Sequence, residues 1–279
     1  MKHYFLLPAL ALLTACSWVG NAAKEGVISA AGYPSRANFT LSGSVPADYA
    51  FKYTAYYQPE QPMACTFYSP GMGGQVPRKH IEQQETETKA EPQSFSYRIP
   101  LAYHEGGCKM KLVNVDLLAF ATYGSRDSEF GRDGGSLGVY DTLPDSVPRF
   151  PASGALELQG KCMWLFRVIG KSNRLRKILT CHKADGQWQV PQDYDQRSGV
   201  GASVRRDELN GKTVRVEFRP SQEERPYVRD TWIQTVKGWK PCLGDGPEDP
   251  YGFCNGQTTS FRQFQMNGRE CTVYPNCTE

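Results

Sequence analysis

From Asn38 onward, apolar and polar positions alternate with a period of two. Phe39 and Leu41 alternate with Thr40 and Ser42, and Tyr49, Phe51, Tyr53, Ala55 and Tyr57 share one face of the next run. Alternation with aromatic enrichment marks a half-buried strand. The aromatic face is expected to be core rather than a ligand platform. Met63 to Tyr68 and Phe95 to Ile99 read as further strands. Gln75 to Pro92 is polar and reads as a solvated loop or a short helix. In Cys108 to Phe120 the apolar face switches near Leu112-Val113, which predicts a bulge or two strands. Gly124 to Gly135 reads as a charged loop, and Leu137 to Tyr140 as a closing strand. Asp141 to Gly154 holds Pro144, Pro148 and Pro151 and has no periodic pattern, so a domain boundary is placed near residue 150.

The second half begins with a hairpin. Lys161 to Ile169 and Leu175 to Lys183 read as strands around Gly170-Lys171-Ser172-Asn173. A loop centred between Lys171 and Ser172 sets Cys162 opposite Cys181, close enough for a bridge. Asp185-Gly186 reads as a turn that returns the chain through Trp188 and Val190 as a third strand. Lys212 to Arg219 and Tyr227 to Val236 are further strands. Asn267-Gly268 is a strong hairpin signal. Its register opposes Phe264 to Cys271 and Phe261 to Tyr274.

No long stretch repeats apolar residues every 3.6 positions. Short alternating runs separated by Pro, Gly, Asn and Asp predict an all-β protein. The expected organisation is a signal over 1–15, a tether over 16–36 and two β-sandwich-like domains, 37–150 and 151–279, stapled by disulfides. One large sandwich is the alternative.

Composition narrows the function. The chain has 279 residues and a net charge of +3. That small charge lacks the basic field nucleic acid requires. Nine cysteines are present. With Cys16 set aside, Cys65, Cys108, Cys162, Cys181, Cys242, Cys254, Cys271 and Cys277 form an even set, the mark of disulfides in an oxidising compartment. Cys65 with Cys108 is the simplest pairing in the first half. Cys242 with Cys254 and Cys271 with Cys277 are the nearest pairings at the end, although Cys271 could instead reach Cys242 or Cys254. No C-x-x-C pair and no neighbouring histidines suggest a metal, so neither metal nor cofactor is expected.

The start of the chain carries its own instruction. Met1-Lys2-His3 is basic, Tyr4 to Leu13 is apolar, and Leu13-Thr14-Ala15-Cys16 follows. This is a secretory signal. Its apolar run falls short of the roughly 20 residues that span a bilayer. The ending resembles the lipobox of bacterial lipoproteins. The resemblance implies cleavage before Cys16, lipidation of Cys16, and membrane contact through that lipid alone. With Ser17 rather than aspartate next, it also implies the outer membrane, facing the periplasm.

Catalytic groups are hard to assemble. No G-x-S-x-G elbow occurs, and lipid and bridges account for every thiol. His182 sits beside a bridge and is expected to be a satisfied structural residue. His104-Glu105 lies in a turn, where a base role is conceivable. Gly170-Lys171-Ser172 fails as a phosphate loop because its first glycine position is Leu165. Asp245, Glu248 and Asp249 do not match a calcium loop. The chain is therefore read as a binding protein and not an enzyme. Arg174, Arg176 and Lys177 on the hairpin, with Asp245, Glu248 and Asp249 in a charged loop, are the candidate partner-binding residues. Arg225, Tyr227, Arg229 and Trp232 form a second arginine and aromatic cluster.

The lipobox, the β-rich body and the run Gly160-Lys161-Cys162-Met163-Trp164-Leu165-Phe166-Arg167 before Cys181 are together similar to lipoprotein immunity proteins. Those accompany type VI secretion phospholipase effectors. The likeness implies a secreted lipase as partner, blocked by occlusion. An envelope-assembly or structural lipoprotein and a carboxylate-dependent hydrolase are the alternatives.

Overall fold

The computed structural model describes residues 32–124, 129–170, 172–243, 254 and 260–277. The alternating runs before Asp141 form β1 (Tyr33–Pro34), β2 (Asn38–Val45), β3 (Tyr49–Pro59), β4 (Thr66–Ser69), β5 (Gly74–Pro77), β6 (His80–Glu85), β7 (Gln93–Pro100), β8 (Ala102–Glu105), β9 (Cys108–Thr122) and β10 (Phe130–Tyr140). After it come β11 (Ala155–Ile169), β12 (Arg174–Ala184), β13 (Val200–Arg205), β14 (Thr213–Pro226), β15 (Trp232–Thr235), β16 (Gly238–Pro241), β17 (Phe264–Met266) and β18 (Arg269–Cys271). No α-helix occurs among the described residues. The protein is all-β and stapled by disulfides. Cys65 bonds Cys108, Cys162 bonds Cys181, Cys242 bonds Cys254, and Cys271 bonds Cys277.

In one large sheet β3 lies between β6 and β9, and β8 and β10 share the far side of β9. The strand β1 continues beyond β8, and β13 beyond β10. The other sheet runs β18-β17-β12-β11-β14-β2-β7. The expected aromatic face of β3 is core: Phe51, Tyr53 and Ala55 are fully buried beside Phe39, Leu117, Val216 and Phe218.

The boundary expected near residue 150 divides neither sheet. The strand β14 pairs in parallel with β2, and β13 pairs in parallel with β10. Asp141 to Gly154 breaks the strand pattern, as its prolines require, yet the chain on either side belongs to one core. A second, smaller core lies elsewhere. Phe166, Trp232, Phe264, Cys271, Tyr274 and Cys277 pack together beyond the main core.

Local registers follow their turns. Cys162 opposes Cys181, and Phe264 opposes Cys271. The face switch in β9 is a bulge: Tyr56 pairs with Asn114 while Tyr57 pairs with Leu112. Arg206 donates to the Leu112 carbonyl beside that bulge and, at 2.8 Å, to Asp141.

Several expectations change. The tether is tied down from Tyr33, which pairs with His104. Gln75 to Pro92 contains β6, whose polar side chains mask its period against β3. Gly124 to Gly135 contains the start of β10, where glycines hide the alternation. The Asp185 turn forms, with its carboxylate accepting from Gln187 and Gln189 N–H. The chain then crosses to β13 instead of adding a third strand, so no meander forms. The strand read over Tyr227 to Val236 is confined to β15, and Tyr274 opposes Trp239 rather than Phe261.

One close approach fixes β10 against β13 within their sheet, and a hydrogen bond beside it joins the two sheets. A β-carbon at Gly135 would coincide with the Val200 carbonyl oxygen on β13. Two residues further back, Asp133 Oδ2 accepts the Cys181 N–H on β12 at 2.6 Å. Gly135→Ala should therefore cost about 2 kcal/mol or more, because only backbone movement relieves the overlap. Gly186→Ala, with open space around its site, should stay within about 0.5 kcal/mol of wild type. Urea unfolding of both variants checks the contrast, and equal midpoints would contradict it.

Candidate functional site

Two hairpin tips meet at one end of the molecule. The β11–β12 turn uses left-handed backbone at Gly170 and Asn173, and the β17–β18 turn at Asn267 and Gly268. Glycine and asparagine tolerate that conformation best. The tips are joined because Gln265 N–H donates to the Asn173 carbonyl at 2.7 Å, and Arg262 donates to the Asn173 side chain. Cys162–Cys181 bridges the two strands of the first hairpin, and Cys271–Cys277 ties the end of β18 to the chain that follows it.

Between the tips lies a groove of about 470 Å³, lined among others by Tyr123, Glu129, Arg174, Lys177, Met266 and Tyr274. Lys177 donates to Glu224 at 2.8 Å and stands 5.5 Å over the Tyr274 ring. The Tyr274 hydroxyl also donates to Glu224. Burial, and then this bond to a carboxylate, push the Tyr274 hydroxyl well above its ordinary value. Lys177 therefore acts as a positioned charge, while Arg174 is exposed at the groove mouth. Arg176 lines a small adjoining pocket with Tyr123 and Glu129. Of the candidate partner-binding residues, the structure thus brings Arg174 and Lys177 together and sets Arg176 beside them. Cys16, Asp245, Glu248 and Asp249 lie outside the described residues.

The histidines depart from expectation. His182 is buried, but its Nε2 has no hydrogen-bond partner among the described residues. Burial, and next the Arg197 charge, hold its pKa below the ordinary value. The expected satisfied side chain is therefore not found at Nε2. His104 stacks on Tyr33 at 5.0 Å. Its neighbour Glu105 pairs instead with His80 at 2.9 Å.

That pair belongs to a cluster missed by sequence reasoning. His80 stacks on Tyr103 at 4.0 Å. The two carboxylate oxygens of Glu82 accept the Tyr53 and Tyr103 hydroxyls at 3.1 and 2.9 Å. His80 and Glu82 alternate on β6, and that spacing was the available signal. The cluster's carboxylates and rings already satisfy one another, so it joins β6 to β8 rather than presenting free groups.

Buried phenols, in this cluster and at Tyr49, set an alkaline limit on the fold. Burial, and then the bond to Glu82, push Tyr103 up to about 12, and burial alone pushes Tyr49 up to about 12. Tyr53 and Tyr57 are also raised, chiefly by burial. A folded pKa raised above the unfolded value, about 10 for tyrosine, contributes stability that is complete below pH 10. It is lost as pH rises through about 12. Phenolate absorbance should therefore lag behind that of free tyrosine, and the midpoint of urea unfolding should fall between pH 10 and 12. Glu82→Gln should shift the Tyr103 titration downward; tyrosines all ionising near pH 10 in the folded chain would contradict the cluster. The chain matches no known family model, no curated protein and no solved structure.

Proposed function

We propose that this chain is a lipid-anchored envelope protein that binds a secreted antibacterial lipase and blocks it by occlusion, acting as an immunity protein. The observation carrying this reading is the groove between two hairpin tips joined by hydrogen bonds, with a disulfide across the first hairpin and another at the foot of the second. Its frame is fixed before any partner arrives, which lowers the ordering cost of tight association. Its lining offers Arg174, Tyr123 and Met266, and arginine and tyrosine are prominent in interface hot spots. Four disulfides suit an oxidising compartment. The lipobox-like Leu13-Thr14-Ala15-Cys16 supports anchoring in the outer membrane, and the likeness to immunity lipoproteins supports a lipase as partner.

Anchoring is tested by labelling with a radioactive fatty acid. Wild type should incorporate label and Cys16→Ala should not; equal incorporation would remove the anchor from the proposal.

Inhibition is tested by deleting the gene together with any adjacent lipase gene and restoring each separately. Lipase alone in the periplasm should be toxic, and both together harmless. Arg174→Glu combined with Met266→Ala should weaken protection and reduce affinity at least about tenfold, or roughly 1.4 kcal/mol. Undiminished toxicity in the presence of abundant wild-type protein would refute the lipase reading.

A further inference from the structure

The face of the second sheet that points away from the core carries an unusual charge arrangement. Phe166, Val168 and Leu175 face the smaller core, so alternation turns Arg167 and Arg176 outward. The register sets these two arginines directly opposite one another. Both are exposed, and neither makes an ion pair with a described residue. Like charges at facing positions of an antiparallel pair, with β-carbons about 5 Å apart, destabilise a sheet. The next strand adds to them. Arg225 pairs in register with Leu165 and shares the outward face, and the Arg167 guanidinium lies 5.0 Å over the Tyr227 ring. Arg225 lies 4.7 Å from the Tyr194 ring and 3.9 Å from Glu223. Among the described residues the nearby carboxylates are few: Glu223 also pairs with Arg197, Asp195 pairs with Arg229, and Glu129 lies across the small pocket beside Arg176.

We infer that this outer face, centred on Arg167 and Arg176, is a docking surface for an acidic protein face. The inference rests on reading the chain as a protein-binding molecule, not on the partner being a lipase. Charge complementarity names the partner's chemistry. The form of the charge favours protein over lipid. Arginine forks held against tyrosine rings offer paired donors at fixed spacing, which suits carboxylates. A lipid surface is attracted by any flexible polybasic segment and needs no such placement. The opposed pair costs stability in the free chain, and opposing carboxylates relieve it.

The test uses the mature full chain, a fluorescein-labelled hexaglutamate peptide and phosphatidylglycerol vesicles. Wild type should bind the peptide, and Arg176→Glu should weaken binding at least about tenfold. Arg132→Glu, the same charge change on β10, should stay within about twofold. Because Arg176→Glu places opposite charges across from Arg167, its Tm should rise by about 1–2 °C or hold. A loss of binding therefore cannot be ascribed to misfolding. Equal weakening by both variants, or binding indifferent to Arg176, overturns the inference. So does vesicle binding that depends on Arg176 without peptide binding, which would make the face a lipid surface. No lipase enters the peptide and vesicle measurements, and the protection assay is scored separately. Arg176-dependent peptide binding by a chain that fails to protect against lipase would sink the lipase reading alone, and protection unaffected by Arg176→Glu, with indifferent peptide binding, would sink this inference alone.

Discussion

The strand β14 holds the architecture together. It lies between β11 and β2, parallel to both, and its Val214, Val216 and Phe218 are buried in the main core. Parallel neighbours cannot be joined by a tight turn. The connections must cross the molecule, and those crossings weave the two ends of the sequence into one core. The pairing of β10 with β13 does the same for the other sheet. With strands shared in this way, neither part of the chain can complete its sheets alone. The glycine at 135 and the carboxylate of Asp133 follow from the same demand, since β10 must approach β13 closely while also satisfying an edge amide of β12.

What was legible in the sequence was local. A turn of known length fixes which residues oppose one another, so the facing of Cys162 with Cys181 and of Phe264 with Cys271 could be read from the hairpin centres. The β9 bulge was legible because an inserted residue flips the apolar face. The association of β2 with β14 leaves no such mark. Strands buried on one face look alike whichever neighbour they choose, and nothing within Asn38–Val45 names Thr213–Pro226. For the same reason the proline-rich connector bears no sign that strands on either side of it pair with one another.

The site was legible to a similar degree. Arg174, Arg176 and Lys177 stood out by composition on a hairpin. Strand alternation separates Lys177 from Arg176, but it does not place Arg174 in the groove, and the neighbours Tyr123, Met266 and Tyr274 come from distant segments. His80, Glu82 and Glu105 were hidden because their partners are set by sheet pairing. His182 shows the converse error. Its burial was foreseeable beside a bridge, but whether each ring nitrogen would find a partner depended on a strap, residues 185–199, whose path the sequence did not reveal.

The connectivity of the cysteines contrasts with that of the strands. Each bridge joins two cysteines that are consecutive in the chain once Cys16 is set aside. If the chain emerges from a membrane pore from its N-terminus, each cysteine awaiting a partner meets the correct one next. Oxidation in order of appearance then yields the native set without reshuffling. The hydrogen-bond network has no such order, since β2 must wait for β14. Covalent closure can therefore run ahead of sheet assembly, leaving short, correctly tied segments to find their distant neighbours.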